Sequence, residues 1–579
     1  MKMKKYIIMA MLTSVMAGGM SSCSDNDNLG EAPRLFRPVA SLETSTNNIT
    51  AKWDNIAGAT EYNLTLYRLT GTDEAGENTY EQCATATCTS SPYTFSDLAW
   101  DEKYHVTISC AGNSKTSGSY QTTDVNVPYA TSLKSIKTID NAARITWDLT
   151  GVTIKAIVAT PAEGGDAVVK TVNTATYESG TVDIMGLNPS TKYVFSAYSD
   201  SENFTNSTYA GRINGTTSKS IDFDKEYGAG MWLDIRNYDE KQAKDTLKTD
   251  EFWAEVKDGM TVILRGDFDY KVNNSHPIEK AVRFVTASTL GSNARFVSSG
   301  GLTIAKNIEI DFLEFKNVDF ISDKALPGGG NEIKDNTDKG FGGRQVFNIN
   351  GVKSTLKSIK FDGCRIEGYR AVVRAQADGD NINNITFESC IINGIGDQGV
   401  ITSNNKACDF QNITFKNSTI TNIVMLSDLR KTVGNVAYNI ENCTFCYAPI
   451  ETNANANTPM FRFTGNANTI NLNVSKTIFG PSMFAGGNGS AITTYKAGTV
   501  GSIFLNPGTA TLASASASFK TNFVWTEVGA GEAAKTYPLD GLNELSMDET
   551  KLWSNPTEGE FKIVGQIGED GIGDPRWAQ

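Results

Sequence analysis

The sequence predicts an all-β chain: two antiparallel sandwiches in series, then a right-handed parallel β-helix with a helix capping its N-terminal end. Three observations carry this. Seven short phrases between Asn307 and Thr511 rewrite one pattern, and four align cleanly: SIKFDGCRI (358–366), NITFESCII (384–392), NITFKNSTI (412–420) and YNIENCTF (438–445). Two earlier stretches of about ninety residues share a second pattern, with a Trp ending an alternating strand and a later Leu-x5-Tyr. Between the two architectures, Asp239 to Lys257 places apolar residues at helical spacing.

The repeat comes first because the most follows from it. In register, Phe361, Phe387, Phe415 and Ile440 form one column. Cys364, Cys390, Ser418 and Cys443 form a second, and Ile366, Ile392, Ile420 and Phe445 a third. The columns recur after 26, 28 and 25 residues. A period of that size means a solenoid, and apolar/polar alternation inside each phrase means strand. Short strands running one way stack in parallel, coil on coil, at roughly 4.8 Å. The Cys column is expected to face inward, its thiols acting as small apolar groups.

From the start of the chain, residues 1–22 are expected to be a signal peptide. Lys2, Lys4 and Lys5 precede an apolar run from Tyr6 to Met20, too short to span a bilayer comfortably. It ends in Met20-Ser21-Ser22-Cys23, which resembles a bacterial lipobox. That resemblance implies lipidation of Cys23 and membrane attachment through acyl chains. Residues 23–33 are a polar tether, whose Ser24-Asp25-Asn26-Asp27-Asn28 resembles the export signal of Bacteroidetes surface lipoproteins. The expected location is the outer membrane, lipid-anchored and facing outward.

The 557 residues beyond the signal exceed one ordinary domain. Formal net charge is −13, falling to −16 once the three signal lysines are lost, which argues against a nucleic-acid partner. It opposes an acidic glycan only weakly, because local basic patches override net charge. The cysteines other than Cys23 show no disulfide framework, although Cys83, Cys88 and Cys110 leave one pairing open in an exported protein. The C-x-x-C spacing at Cys443 and Cys446 lies on a strand, so its thiols face opposite ways and make a poor metal site.

Residues 34–128 and 129–218 read as two copies of one module. Trp53 and Trp147 are 94 residues apart, and Tyr104 and Tyr193 are 89 apart. Leu98 and Leu187 each precede the corner Tyr, and alternating strands follow (HVTIS, VFSAY). A core Trp with a corner Tyr near a late strand is the immunoglobulin-like pattern. The pair resembles fibronectin type III domains over its full length. Such modules usually serve as spacers; glycan binding through exposed aromatics is the other reading. His105, beside the corner Tyr, is expected to be structural.

The β-helix is expected over 219–537. One helix carrying Leu247, Phe252, Trp253 and Val256 should cover its apolar end, and the first strand should follow at Met260–Leu264. A helix, a Gly turn and a strand in that order resemble the opening of pectin-lyase-like β-helices. A Gly-rich insertion runs between Ser322 and Arg344; such loops often lie over binding sites. Residues 538–579 are expected to form a C-terminal cap whose Trp577, in the closing Gly573-Asp574-Pro575-Arg576-Trp577, docks back on the solenoid. Taken together, the layout resembles Bacteroidetes lipoproteins encoded with pectin-degrading systems. That resemblance implies other outer-membrane glycan-uptake proteins as partners, but no mechanism.

Against the activities of pectin-lyase-like folds, the residues fit poorly. Polygalacturonase-like hydrolases need clustered aspartates and a nearby His. Asn336-Thr337-Asp338 matches one of their triplets but lies in the insertion, and the histidines are His105 and His276. Pectate lyases need an Arg or Lys base with carboxylates holding Ca²⁺. The strands preceding the main phrases align to give one outward column: Asn348, Arg374, Thr402, Ser427, Arg462 and Thr493. Arg374 and Arg462 stand three coils apart, roughly 14 Å, with Arg370, Arg430 and Lys431 nearby. Guanidinium forks suit uronate carboxylates. Asp378, Asp380, Asp397 and Asp428 are expected on turns, and Tyr369, Tyr447, Tyr495 and Trp525 are candidate stacking faces.

The leading expectation is surface-anchored binding of an acidic, pectic polysaccharide, with Arg374, Arg462, Arg370, Arg430 and Asn348 as the binding residues. No cofactor is expected for that role. The alternatives are a uronate lyase with an Arg base and Ca²⁺, and a structural or adhesive scaffold on which these arginines are ordinary solvated side chains.

Overall fold

The computed structural model describes residues 34–45, 47–127, 133–149, 152–205, 207–333, 338, 340–403, 407–430, 432–451, 459–462, 470–480, 483–485, 495–497, 502–504, 509–512, 516–518, 524–527, 535–538, 542–545, 547, 549–565 and 571–578. Cys23, Asn336, Thr337, Lys431 and Thr493 lie outside them. Strands hold 50% of the chain and helices 8%, which makes it all-β as expected. Among the described residues no helix is long and apolar enough to cross a membrane.

The first sandwich faces a three-stranded sheet (Ala40–Ser45, Asn48–Trp53, Tyr93–Phe95) against one built on Glu61–Thr72, Asn78–Cys88 and Lys103–Gly112. Strict alternation sends Ile49, Ala51 and Trp53 inward from one sheet, and Tyr104, Val106, Ile108 and Cys110 from the other. Tyr104 is buried, and its hydroxyl accepts from the Ala99 amide at 3.2 Å, the bond a corner Tyr makes. His105 is buried and stacks on Tyr67, a structural place. The second module repeats the arrangement with three strands (Leu133–Thr138, Ala142–Trp147, Thr181–Met185) and four (Ala156–Pro161, Val168–Thr171, Lys192–Tyr198, Tyr209–Thr216). Trp147 and Tyr193 are buried in it. Cys83, Cys88 and Cys110 are free thiols. Cys88 and Cys110 both pair with Tyr62, from opposite flanks. They are therefore two strand spacings apart, roughly 9.6 Å, beyond disulfide reach.

The second architecture is a parallel β-solenoid of about eight turns over residues 232–446. One sheet stacks Trp232–Asp234, Met260–Leu264, Val282–Thr286, Leu313–Lys316, Thr355–Asp362, Asn381–Glu388, Asn412–Lys416 and Val436–Glu441, all parallel. A second stacks Ala294–Ser298, Val318–Ser322, Arg365–Ala375, Ile391–Thr402, Thr419–Ile423 and Thr444–Cys446. All three sequence columns hold. Phe361 pairs with Phe387, Phe387 with Phe415 and Phe415 with Ile440. Ile366, Ile392, Ile420 and Phe445 pair in the same succession. The Phe rings stack at 4.9 and 4.8 Å, tilted by 4° and 12°. That distance is the strand spacing itself, so backbone stacking and ring stacking support each other.

The Cys column does more than fill space. Each member donates to the carbonyl two residues behind it: Cys390 to Glu388 (3.3 Å), Ser418 to Lys416 (2.7 Å), Cys443 to Glu441 (3.3 Å) and Thr477 to Ser475 (2.9 Å). The residue between is left-handed in every case: Ser389 (φ +54°), Asn417 (+51°), Asn442 (+52°) and Lys476 (+47°). Gly363 (+66°) takes that place before Cys364. A left-handed residue turns the chain sharply; its amide donates to the matching carbonyl of the next coil, and the small donor after it adds a second bond to the carbonyl of its own coil. Burial pushes the Cys364 and Cys443 thiols well above their ordinary value, so both keep the proton they donate.

The N-terminal cap differs from expectation in two ways. It is two helices, Glu240–Thr246 and Asp250–Glu255, because the Thr249 side chain accepts from the Phe252 amide and starts a new helix. Strand Trp232–Asp234 precedes both and pairs with Met260–Leu264, so the solenoid begins before its cap. Ala243, Leu247, Phe252 and Val256 join the solenoid core as a cap requires. At the other end, Leu545, Leu552, Trp553, Phe561 and Ile572 pack on Cys446, Tyr447 and Ile478. The C-terminal segment thus lies along the solenoid's flank. Asp574 accepts from Thr419 Oγ1 (2.7 Å), and Trp577 Nε1 donates to the same hydroxyl (2.7 Å), so Trp577 does dock back. Cys443 and Cys446 face opposite ways, yet both are buried because this segment covers the outer face.

Phe387→Ala should remove the middle ring of the stack and lower unfolding stability by about 3–5 kcal/mol in denaturant titration, whereas Lys416→Ala, on the surface of the next coil, should stay within about 0.5 kcal/mol.

Candidate functional site

Strand pairing places the residues of the predicted outward column. Asn348 pairs with Arg374, Arg374 with Thr402, Thr402 with Asp428, and Asp428 with Arg462. The column therefore holds Asp428 where Ser427 was expected, and its two middle members, Thr402 and Asp428, are buried instead of facing outward, at 0% and 3% exposure. Ser427 pairs with Ile401 and Phe461 in the inward row, and its hydroxyl meets Tyr438 Oη at 2.6 Å inside the core. A short strand of two residues, Ser427–Asp428, gives too little alternation to set register from sequence. Beyond Arg462 the pairing continues to Phe504, with Thr493 outside the described residues.

Arg374 and Arg462 stand three coil steps apart, roughly 14 Å, and both are half-buried. Each belongs to a pair of arginines sharing a carboxylate. Arg370 holds Asp397 through two bonds, at 2.7 and 3.3 Å. Arg430 holds Asp428 through two bonds at 2.9 Å. The second arginine of each pair is less well matched. Arg374 makes no ion pair among the described residues, and Gln376, with its amide oxygen turned to it, accepts from its guanidinium at 2.6 Å. Arg462 reaches Asp428 only at 3.9 Å. Burial, then the neighbouring Arg370, lowers the Arg374 pKa from its ordinary value. Burial, then Arg430, does the same to Arg462. Arg370 is shifted the other way, first by its hydrogen bonds to Asp397.

Asp378 and Asp380 lie between strands as expected, but two of the carboxylates do not. Asp397 lies within strand Ile391–Thr402 and Asp428 within its own short strand. Asp380 is buried and accepts from four backbone amides, Gly351, Val352, Lys353 and Ala377, so it is a structural clamp. Tyr369 is buried with its hydroxyl on Ser298 (2.8 Å), and Tyr447 is 4% exposed, so neither offers a face to a sugar. The side chains of Tyr495 and Trp525 lie outside the described residues.

A cavity of about 510 Å³ opens at the N-terminal end of the column, where Asn348 meets Asn274, Asn350, Lys306 and Glu279. Gly301 lies against Asn348 there, leaving the floor low. The described face thus combines amides, four guanidiniums and two carboxylates. Calcium takes six to eight oxygen ligands. Among the described residues no three His, Cys, Asp or Glu side chains converge, and Asp397 and Asp428 are each taken by an arginine. The donor set does not fit a Ca²⁺-assisted lyase. Sequence reasoning named Asp428 but put it on a turn instead of in the column, and it missed Gln376. The signal for Asp428 was the Leu426-Ser427-Asp428-Leu429 run, whose flanking leucines are both core.

Asp428→Ala should leave Arg430 and Arg462 without a carboxylate in a half-buried site and lower unfolding stability by about 1–3 kcal/mol in denaturant titration.

No family model and no curated protein matches the chain. Among solved structures, a two-domain fibronectin type III segment of chicken tenascin is similar at 16% identity, over 32% of this chain and 99% of that one, with a TM-score of 0.16. The FN1–FN3 domains of chicken CNTN1 are similar at 14% identity, over 32% of this chain and 65% of that one, with a TM-score of 0.13. The strand pairing of the two sandwiches, not these scores, carries their assignment.

Proposed function

We propose that the protein binds an acidic, uronate-bearing polysaccharide across the solenoid face of Asn348, Arg374 and Arg462, with Thr402 and Asp428 buried beneath it in the same column. The observation that carries this is the charge on that face. Four guanidiniums stand against two carboxylates, in a chain whose formal net charge is −13. Arg370 and Arg430 consume the two carboxylates and so hold the face in shape. Arg374 and Arg462 keep donors to spare, at a separation of roughly 14 Å that matches several sugar residues of an extended chain. Half-burial strengthens each guanidinium–carboxylate contact relative to a fully solvated one, and the planar fork takes a carboxylate through two bonds. Asn348 and the amides around the cavity at its end supply hydrogen bonds to hydroxyl groups. Binding is favoured over β-elimination because the carboxylates that would hold a cation are already paired. In this reading the sandwiches are spacers, Cys23 carries the lipid that holds the chain on the outer membrane, and glycan-uptake proteins of that membrane are its neighbours.

Affinity electrophoresis against a panel of uronate polymers tests the binding. The full chain should be retarded on at least one, less so as salt rises, and Arg374→Ala or Arg462→Ala should each weaken retention about tenfold. Absence of retardation on every uronate polymer would refute the proposal. For the anchor, an alkyne fatty acid fed to cells making the protein should label the chain and fail to label Cys23→Ala; equal labelling of both would remove the lipid from Cys23.

A further inference from the structure

A second outward strip lies on the sheet of Arg365–Ala375, Ile391–Thr402 and Thr419–Ile423, where Glu367, Asn393 and Thr421 stand in register. The insertion after Ser322 and the C-terminal segment both stand over it. Between them is a cleft of about 300 Å³. Its apolar walls include Ile333 and Phe341 from the insertion, Tyr447 from the solenoid and Phe561 from the C-terminal segment. Phe341 is anchored by packing on Val424 and Ile450, so the insertion is tied down at this point.

The polar floor has a defined direction. An ionised Glu367 only accepts, so Asn393 must turn its amino group to it, and Nδ2 donates to Oε1 at 3.1 Å. Asn393 Oδ1 then faces onward and accepts from Asn422 Nδ2 at 2.9 Å. The chain therefore ends on Asn422 Oδ1, an acceptor on the cleft. Thr421, 3% exposed, lines the same cleft, and its Oγ1 has no partner among the described residues. A buried hydroxyl left open in this way is uncommon in native proteins. Arg365 pairs with Glu367 at 2.7 Å, so the charge at the head of the chain is neutralised.

We propose that this cleft holds one uncharged sugar residue. An oriented acceptor and an unsatisfied hydroxyl call for a ligand with O–H groups, and the apolar walls call for one with a C–H face. Thr557 and Glu558 of the C-terminal segment line the cleft as well, so polar and apolar groups are present in similar measure, as a hydroxyl-rich ligand with a C–H face requires. One sugar hydroxyl donates to Asn422 Oδ1 and another meets Thr421 Oγ1 once that side chain turns toward the cleft, while the ring lies against the partly exposed Ile333 and Ile391. The site is separate from the arginine column and stands or falls without it.

Calorimetric titration of the full chain with methyl glycosides of neutral hexoses, 6-deoxyhexoses and pentoses tests this. At least one should bind. Thr421→Val, which keeps shape and loses the hydroxyl, should weaken that binding about tenfold. Ile333→Trp should block the cleft and abolish it, while Arg374→Ala should leave it unchanged. The proposal is overturned if no neutral glycoside binds, if binding survives both Thr421→Val and Ile333→Trp, or if a methyl uronate binds as tightly as its neutral counterpart. Should a neutral branched polymer bind through the same two residues, the ligand is a polymer branch; should only the free glycosides bind, it is a released sugar. Either result upholds the site.

Discussion

The coils from Thr355 to Ser475 depend on one turn. A left-handed residue swings the chain from the first sheet to the second, and the residue after it donates back to the carbonyl two positions earlier. Left-handed backbone costs an ordinary residue free energy, and two hydrogen bonds offset that cost: the amide of the left-handed residue donates to the next coil, and the side chain after it donates within its own. Because the turn has the same length each time, the next strand lands in the same register, and Phe falls on Phe. The ring stack and the Cys/Ser/Thr ladder are consequences of that register.

The constant turn also decides what the outer face can be. Once register is set, residues one coil apart become neighbours at roughly 4.8 Å, and charges separated by 26 or 28 residues in the chain act on each other directly. Arg370 meets Asp397 in this way, and Asn393 meets Glu367. The flank changes character along its length. Arg295, Asp319 and Arg365 form a charged row in the earlier coils. Thr419 and Thr444 replace it in the later ones, where Asp574 accepts from the first and its amide donates to the hydroxyl of the second. Hydroxyls there give the C-terminal segment a surface it can satisfy with its own polar groups, which a charged row would not.

The two candidate sites use different physics. The arginine column is shallow and carries surplus charge, and a polyanion meets it by matching charge along a line. The cleft is small, with polar and apolar lining in similar measure and one residue of each charge, Arg365 and Glu558, and selects by shape and by two hydrogen-bonding groups. A scaffold that reads an acidic backbone on one strip and an uncharged residue on another would discriminate among branched glycans better than either strip alone.

What the sequence by itself determined is whatever repeats. The Phe, Cys and Ile columns, the corner tyrosines and the core tryptophans were all legible, because a side chain's inward or outward direction follows from alternation within a strand, and the period repeats it. Arg374 and Arg462 could be placed on one face for the same reason. What only the tertiary structure decided is whatever breaks the repeat. Two-residue strands carry no alternation, so Ser427 and Asp428 could not be told apart. One apolar face served two helices as well as one, because Thr249 acts through a cap bond that periodicity does not see. Tyr369 looked like a surface aromatic until its hydroxyl was found on Ser298 inside the core. The cleft joins an insertion, three coils and a segment more than a hundred residues later, and only long-range packing brings those together.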